Sequence, residues 1–149
     1  MQKFLRGKVF ISVATCDLKG QPNAAPKLLL DFDKQYIYLV DYTIGKTWEN
    51  LKLNPRVSLS FSDVESLNGY RINGSVEIIA EGPLYEKMSA KLGEMATQLS
   101  VERVLAGIRR KKAHEHFELG IPDKFVVFKI KMQEITEISP QGKLHHEKV

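Results

Sequence analysis

The amino-acid sequence predicts an α+β protein, a six-stranded antiparallel β-barrel with flanking helices. Three observations predict it. Short runs of alternating apolar and polar residues recur with tight turns between them, which is the signature of antiparallel strands. Helical periodicity is gathered mainly into one insertion, about residues 84–119, rather than alternating with every strand as in a parallel α/β sheet. Closing the strands into a barrel also removes the exposed edges that an open sheet would carry.

Residues 9–15 alternate, with Val9, Ile11 and Val13 on one face and Phe10, Ser12 and Ala14 on the other. Asp17-Leu18-Lys19-Gly20 reads as a turn with glycine placed for positive φ, and residues 23–32 complete a hairpin. Asp33-Lys34-Gln35 turns the chain into Tyr36-Ile37-Tyr38-Leu39-Val40, rich in β-branched and aromatic residues. These neighbours are apolar in succession, so both faces of that strand should be covered. A short helix is expected over residues 46–53, stopped by Asn54-Pro55, with a fourth strand over residues 57–62. Residues 70–81 form a long strand in which Gly74 signals a bulge, a bend or the close approach of another backbone.

Gly82-Pro83 ends that strand, and Leu84, Met88, Leu92, Met95 and Leu99 then recur at helical spacing. Ser100 is placed to cap a second helical piece that buries Val104, Leu105 and Ile108. Gly120-Ile121-Pro122-Asp123 breaks the helix, residues 125–138 form the last strand, and the polar residues 141–149 are expected to fray. No repeat or linker divides the chain, so a single domain over residues 1–149 is expected.

The 149 residues are 43% hydrophobic and 27% charged, the balance of an ordinary globular domain. A lone cysteine, Cys16, forms no internal disulfide, and no apolar run reaches membrane-spanning length. The N-terminus lacks an apolar core followed by a cleavage site, so a cytoplasmic protein is expected, with no membrane partner. The net charge of +4 favours an anionic ligand. Its cations are scattered rather than interleaved with aromatics, which argues against nucleic acid. Arg109-Arg110-Lys111-Lys112 reads as a solvated helix end.

Residues 45–47, Gly45-Lys46-Thr47, form the best candidate site. A helix start presents free backbone N–H groups and a partial positive charge, and a lysine and a hydroxyl there make a phosphate seat. A nucleotide-binding P-loop is excluded, because the first glycine of that motif falls on Val40 and Asp41 would repel phosphate. Trp48 and Tyr42 read as core or interface anchors, with stacking on a flat ligand as the alternative. His114 and His116, two apart, point to different faces of a helix and do not match a metal pair. His145 and His146 lie in the tail, and no metal is expected at any of the four. No catalytic residue stands out, since neither a carboxylate pair nor a nucleophile elbow occurs.

Four segments in order carry a resemblance: Val13-Ala14-Thr15 with Gly20-Gln21-Pro22, then Gly45-Lys46-Thr47 to Leu51, then Asn54-Pro55-Arg56-Val57-Ser58-Leu59, then Gly69-Tyr70-Arg71-Ile72-Asn73-Gly74. Across about residues 8–81 the chain resembles the pyridoxamine 5′-phosphate oxidase-like family of FMN-binding split barrels. The resemblance implies FMN as cofactor, held at a homodimer interface. Pro26, Lys27, Leu28 and Leu29 would run along the isoalloxazine with their backbone at its polar edge. Val40 and Asp41 would flank the ribityl chain, and Lys46 and Thr47 would take the phosphate. The partner subunit would contribute the segment from Gly69 to Arg71.

The true oxidases carry basic residues where this chain has Ala25 and Leu30, and a C-terminal Arg-x-His element that is missing here. The resemblance therefore implies a flavin-dependent oxidoreductase other than a pyridoxamine phosphate oxidase, with a nicotinamide or small-molecule redox partner. The alternatives within the family are a deazaflavin-dependent reductase and a non-catalytic flavin- or haem-binding module.

Overall fold

A computed structural model describes residues 1–110 and 124–149. The element order is α1 (Gln2–Leu5), β1 (Phe10–Cys16), β2 (Pro22–Phe32), β3 (Tyr36–Asp41), α2 (Gly45–Leu53), β4 (Arg56–Ser62), β5 (Gly69–Ile79), α3 (Pro83–Arg110), β6 (Val126–Ile138) and β7 (Leu144–Lys148). The sheet runs β3-β2-β1-β4-β5-β6-β7, and a further β3–β6 pairing closes the first six strands into a barrel. Every pairing is antiparallel. The predicted fold is the observed one.

Period-two alternation fills the barrel. Ile11, Val13, Leu29, Ile37, Leu39, Val57, Leu59, Ile72, Phe128, Ile130 and Met132 form one buried cluster. Leu5 of α1 and Leu51 of α2 join this cluster from opposite ends of the barrel. At one end Phe4 stacks near Tyr70 at the start of β5, and at the other Asn54 bonds Cys16 at the end of β1. A second cluster lies outside the barrel wall, where Leu30, Val40, Phe125 and Val127 pack against Met88 and Leu92 of α3. Helix α3 therefore covers the outer face of β3, and consecutive apolar residues there are buried on both sides. A salt bridge of 2.5 Å from Lys91 to Asp31 pins the helix to β2.

Gly74 sits at a register shift between β5 and β6, where a Cβ would lie 2.3 Å from the carbonyl oxygen of Lys131. The bulge and the close approach expected of this glycine occur together.

Three expectations are corrected. Residues 144–148 do not fray; they form β7 and pair with Glu134–Ile138 of β6. Strand β3 pairs β6 only from Val126 to Lys131, which leaves that edge open, and β7 occupies it through backbone bonds that a polar sequence does not reveal. Ser100 is not a cap, because α3 runs through it unbroken and its hydroxyl bonds back to the Ala96 carbonyl at 2.8 Å. Leu105 is not buried but 49% exposed. The side chains of Val104 and Ile108 lie outside the described residues, as do His114, His116 and residues 120–123. Helix α1 was not signalled by the sequence pattern. No helix among the described residues is long and apolar enough to cross a membrane.

Candidate functional site

The barrel is split beside α2. Strand β2 pairs with β1 along Pro22–Leu28, but its pairing with β3 begins only at Leu28. From Pro22 to Lys27 no described strand pairs the other edge of β2, so backbone groups there are free for a ligand. Helix α2 opens at the same end of the barrel, through a tight turn in which Thr43 and Gly45 have φ of 60° and 82°.

The start of α2 is bare. Its N-cap residue is Ile44, which has no side-chain acceptor, and its first turn contains no acidic residue. The first-turn N–H groups keep their partial positive charge. Lys46 projects from this turn with its side chain 49% exposed, and its ammonium lies 3.2 Å from Glu49. Thr47 points inward and is 3% exposed. Its hydroxyl oxygen accepts a hydrogen bond of 3.0 Å from Asn23 Nδ2 on β2. The same amide nitrogen lies 3.5 Å from Thr15 Oγ1, which also accepts from Asn50 Nδ2 at 3.1 Å. Thr15, Asn23, Thr47 and Asn50 thus tie α2 to the ends of β1 and β2.

Lys27 and Asp41 turn out to be partners. They follow the β2–β3 register at Leu28 and Val40, and the lysine ammonium bonds Asp41 Oδ1. Asp41 is 2% exposed, so its charge is compensated by Lys27 rather than by water. Asp41 Oδ2 and Asn50 Oδ1 are buried without a partner among the described residues. Burial, and then the neighbouring Asp41 charge, raise the ionisation of Tyr42 above the ordinary tyrosine range.

The other named residues fall elsewhere. Leu29 faces the barrel interior, whereas Leu28 and Val40 pack beneath α3. Pro26 is exposed on the outer face, opposite Ser12 of β1. Arg71 continues the same row across β4, at Ser12↔Ser60 and Ser60↔Arg71. Three inter-strand steps separate Pro26 from Arg71, about 14 Å at the usual strand spacing. Arg71 therefore does not join Pro26 and α2 within one chain. Its guanidinium instead donates to Thr136 Oγ1 at 3.3 Å. The outer face between them carries small side chains, with Ser12, Ala14, Ala24 and Ser60 all exposed.

Trp48 is half-buried against the barrel core, with the Lys52 ammonium 5.4 Å from its ring centre. Cys16 contacts Asn54 Nδ2 at 3.3 Å. No group of metal-ligating side chains occurs among the described residues. Sequence reasoning missed Asn23 and Asn50. The available signal was the inward-facing row Asn23, Ala25 and Lys27, whose polar members need tertiary partners if they are to be buried.

Residues 1–139 match the family profile described as pyridoxamine 5′-phosphate oxidase. The chain belongs to that family. A pyridoxine/pyridoxamine 5′-phosphate oxidase of Nostoc sp. is 28% identical over 122 residues, covering 75% of this chain and 56% of the relative. The chain thus spans about half the length of the curated relatives it matches. Among solved structures, HupZ of Group A Streptococcus is 29% identical, with a TM-score of 0.64 over 91% of this chain and 94% of HupZ. An FMN binding protein of Nostoc punctiforme, related to pyridoxamine 5′-phosphate oxidase, has a TM-score of 0.59 at 13% identity. That alignment covers 95% of this chain and 87% of the relative.

Proposed function

We propose that this chain is a homodimeric FMN-binding oxidoreductase. The observation that carries the reading is the convergence of an uncapped, acid-free helix start with an unpaired strand edge. The first suits a phosphate and the second suits the polar edge of a flat heterocycle. About 10 Å of extended strand separates Asn23, which touches Thr47, from Pro26. That leaves room for a ribityl chain between the two features. The FMN-binding relative of the same fold supports the choice of ligand.

Lys46 and the α2 N–H groups hold the phosphate, and the free edge of β2 around Pro26 and Lys27 orients the ring. Pro26 has no N–H and offers only its carbonyl there. Bound FMN supplies reversible uptake of hydride or electrons. Asp41, neutralised by Lys27, places no net negative charge beside the ribityl chain. Arg71 lies too far from Pro26 to serve its own chain, so it serves the flavin of a second copy docked on the small-residue face of β1, β2 and β4.

Pyridoxamine phosphate is not the substrate in this reading. Ala25 carries no charge, Leu30 is buried under α3, and Lys27 is committed to Asp41. An anionic substrate would find no basic clamp on β2. A nicotinamide donor or a small diffusible acceptor fits the uncharged ring face better.

The test is the absorption spectrum of the purified protein, the mass of the cofactor it releases, and its sedimentation. FMN bands with a species of twice the chain mass support the reading. A released deazaflavin or haem, or a monomer that retains FMN, overturns it. Conversion of pyridoxamine phosphate by the FMN-loaded protein at about 1 s⁻¹ or faster refutes the substrate assignment.

A further inference from the structure

Asn23 has no role in the reading above, yet it is the only side chain that touches Thr47 Oγ1 among the described residues. Its amide nitrogen has two hydrogens and two neighbours, Thr47 Oγ1 at 3.0 Å and Thr15 Oγ1 at 3.5 Å. Asn50 donates to the same Thr15 oxygen from one turn further along α2, at 3.1 Å. Thr47 is 3% exposed, so water does not compete for its hydroxyl. With Asn23 donating to the oxygen, the Thr47 proton points away from Asn23. No acceptor for it is found among the described residues. A buried hydroxyl proton without a partner, at an uncapped helix start, calls for an acceptor from outside the chain.

We infer that Asn23 is a positioning residue for anion binding: its amide donates to Thr47 Oγ1 and so turns the Thr47 hydroxyl into a fixed donor toward a phosphate oxygen at the start of α2. This rests on the phosphate seat proposed above and goes one residue deeper. A free threonine hydroxyl can either donate or accept. Asn23 removes that choice. The reverse amide orientation would place Asn23 Oδ1 against Thr47, where it would capture the proton and abolish the donor. The seat then discriminates by hydrogen bonding and not only by charge, and it favours a flavin that ends in phosphate over one that ends in a hydroxyl.

The measured quantity is the phosphate gain, the Kd for riboflavin divided by the Kd for FMN, by fluorescence quenching on the full chain. Thr47→Val is expected to lower the gain about tenfold and Thr47→Ser to preserve it. Asn23→Ala is expected to lower it about 3- to 10-fold with riboflavin affinity unchanged. The double variant Asn23→Ala/Thr47→Val is expected to fall no further than Thr47→Val alone, because the amide acts only through the hydroxyl. Asn23→Asp keeps the shape but offers only acceptors, and is expected to lose more than Asn23→Ala; it also serves if the alanine variant folds poorly. An unchanged gain in Asn23→Ala, or an additive loss in the double variant, overturns the inference while leaving the phosphate seat intact. A wild-type gain near one overturns the seat itself and the inference with it.

Discussion

Lys46→Ala tests the phosphate seat most directly. A hydrogen bond to a charged group contributes about 1.5–3 kcal/mol. Two features of the structure lower the expectation. The Lys46 side chain is 49% exposed, so solvent screens its charge. It also lies 3.2 Å from Glu49, which must release the ammonium, or share it, when a phosphate arrives. The expected loss for FMN is therefore about 1–2 kcal/mol, roughly 5- to 30-fold in Kd. The same geometry predicts the opposite sign at Glu49. Glu49→Gln removes the competing anion and is expected to tighten FMN by about 0.3–0.5 kcal/mol, the usual worth of an exposed helix pair. Both effects shrink in high salt. Riboflavin, which has no phosphate, is expected to respond to neither variant. The assay is fluorescence titration of both flavins at low and at physiological ionic strength. Equal losses for FMN and riboflavin in Lys46→Ala would place the phosphate away from α2, and weaker FMN binding in Glu49→Gln would refute the competition.

Asp41→Asn leaves the Lys27 charge without its buried partner and is expected to cost about 3–5 kcal/mol in urea unfolding, whereas Lys27→Met with Asp41→Leu is expected to cost far less; similar losses from both would show that the pair is not buried in solution. Gly74→Ala forces a Cβ against the Lys131 carbonyl at the β5–β6 bulge and is expected to destabilise by about 1–3 kcal/mol or more, read as a lower urea midpoint; an unchanged midpoint would mean that the bulge relaxes freely. Burial and a hydrogen bond to Glu137 push Tyr70 up to about 12, so its contribution to stability is complete below the ordinary tyrosine value near 10 and is lost as the pH rises through about 12. Alkaline titration at 295 nm is expected to show a late phase that disappears in Tyr70→Phe, and its persistence there would assign the phase to another tyrosine.

The strands, the barrel and the start of α2 were legible because each depends on local pattern. Alternation at Ile11 and Val13 or at Ile37 and Leu39 sets the inward face whatever lies opposite, and Gly74 announces a close contact without naming the partner. The order Gly45-Lys46-Thr47 before Asn54-Pro55 fixes where a helix can begin and end. Strand β7 was not legible, since its five exposed side chains carry no hydrophobic signal and its pairing depends on the edge that β3 leaves free. The single long α3 was not legible either, because a serine in mid-helix and a serine cap look alike until the backbone is traced. Lys27 and Asp41 lie 14 positions apart, and Asn23 and Thr47 lie 24 apart. Only the barrel register makes these pairs neighbours, turning a strand lysine into an interior counter-ion and an unremarked asparagine into the partner of a buried hydroxyl. The sequence alone determined which local elements could form and where an anion could bind. The tertiary structure decided which charges cancel and which donors stay free, because those depend on distances between residues that the chain order keeps far apart.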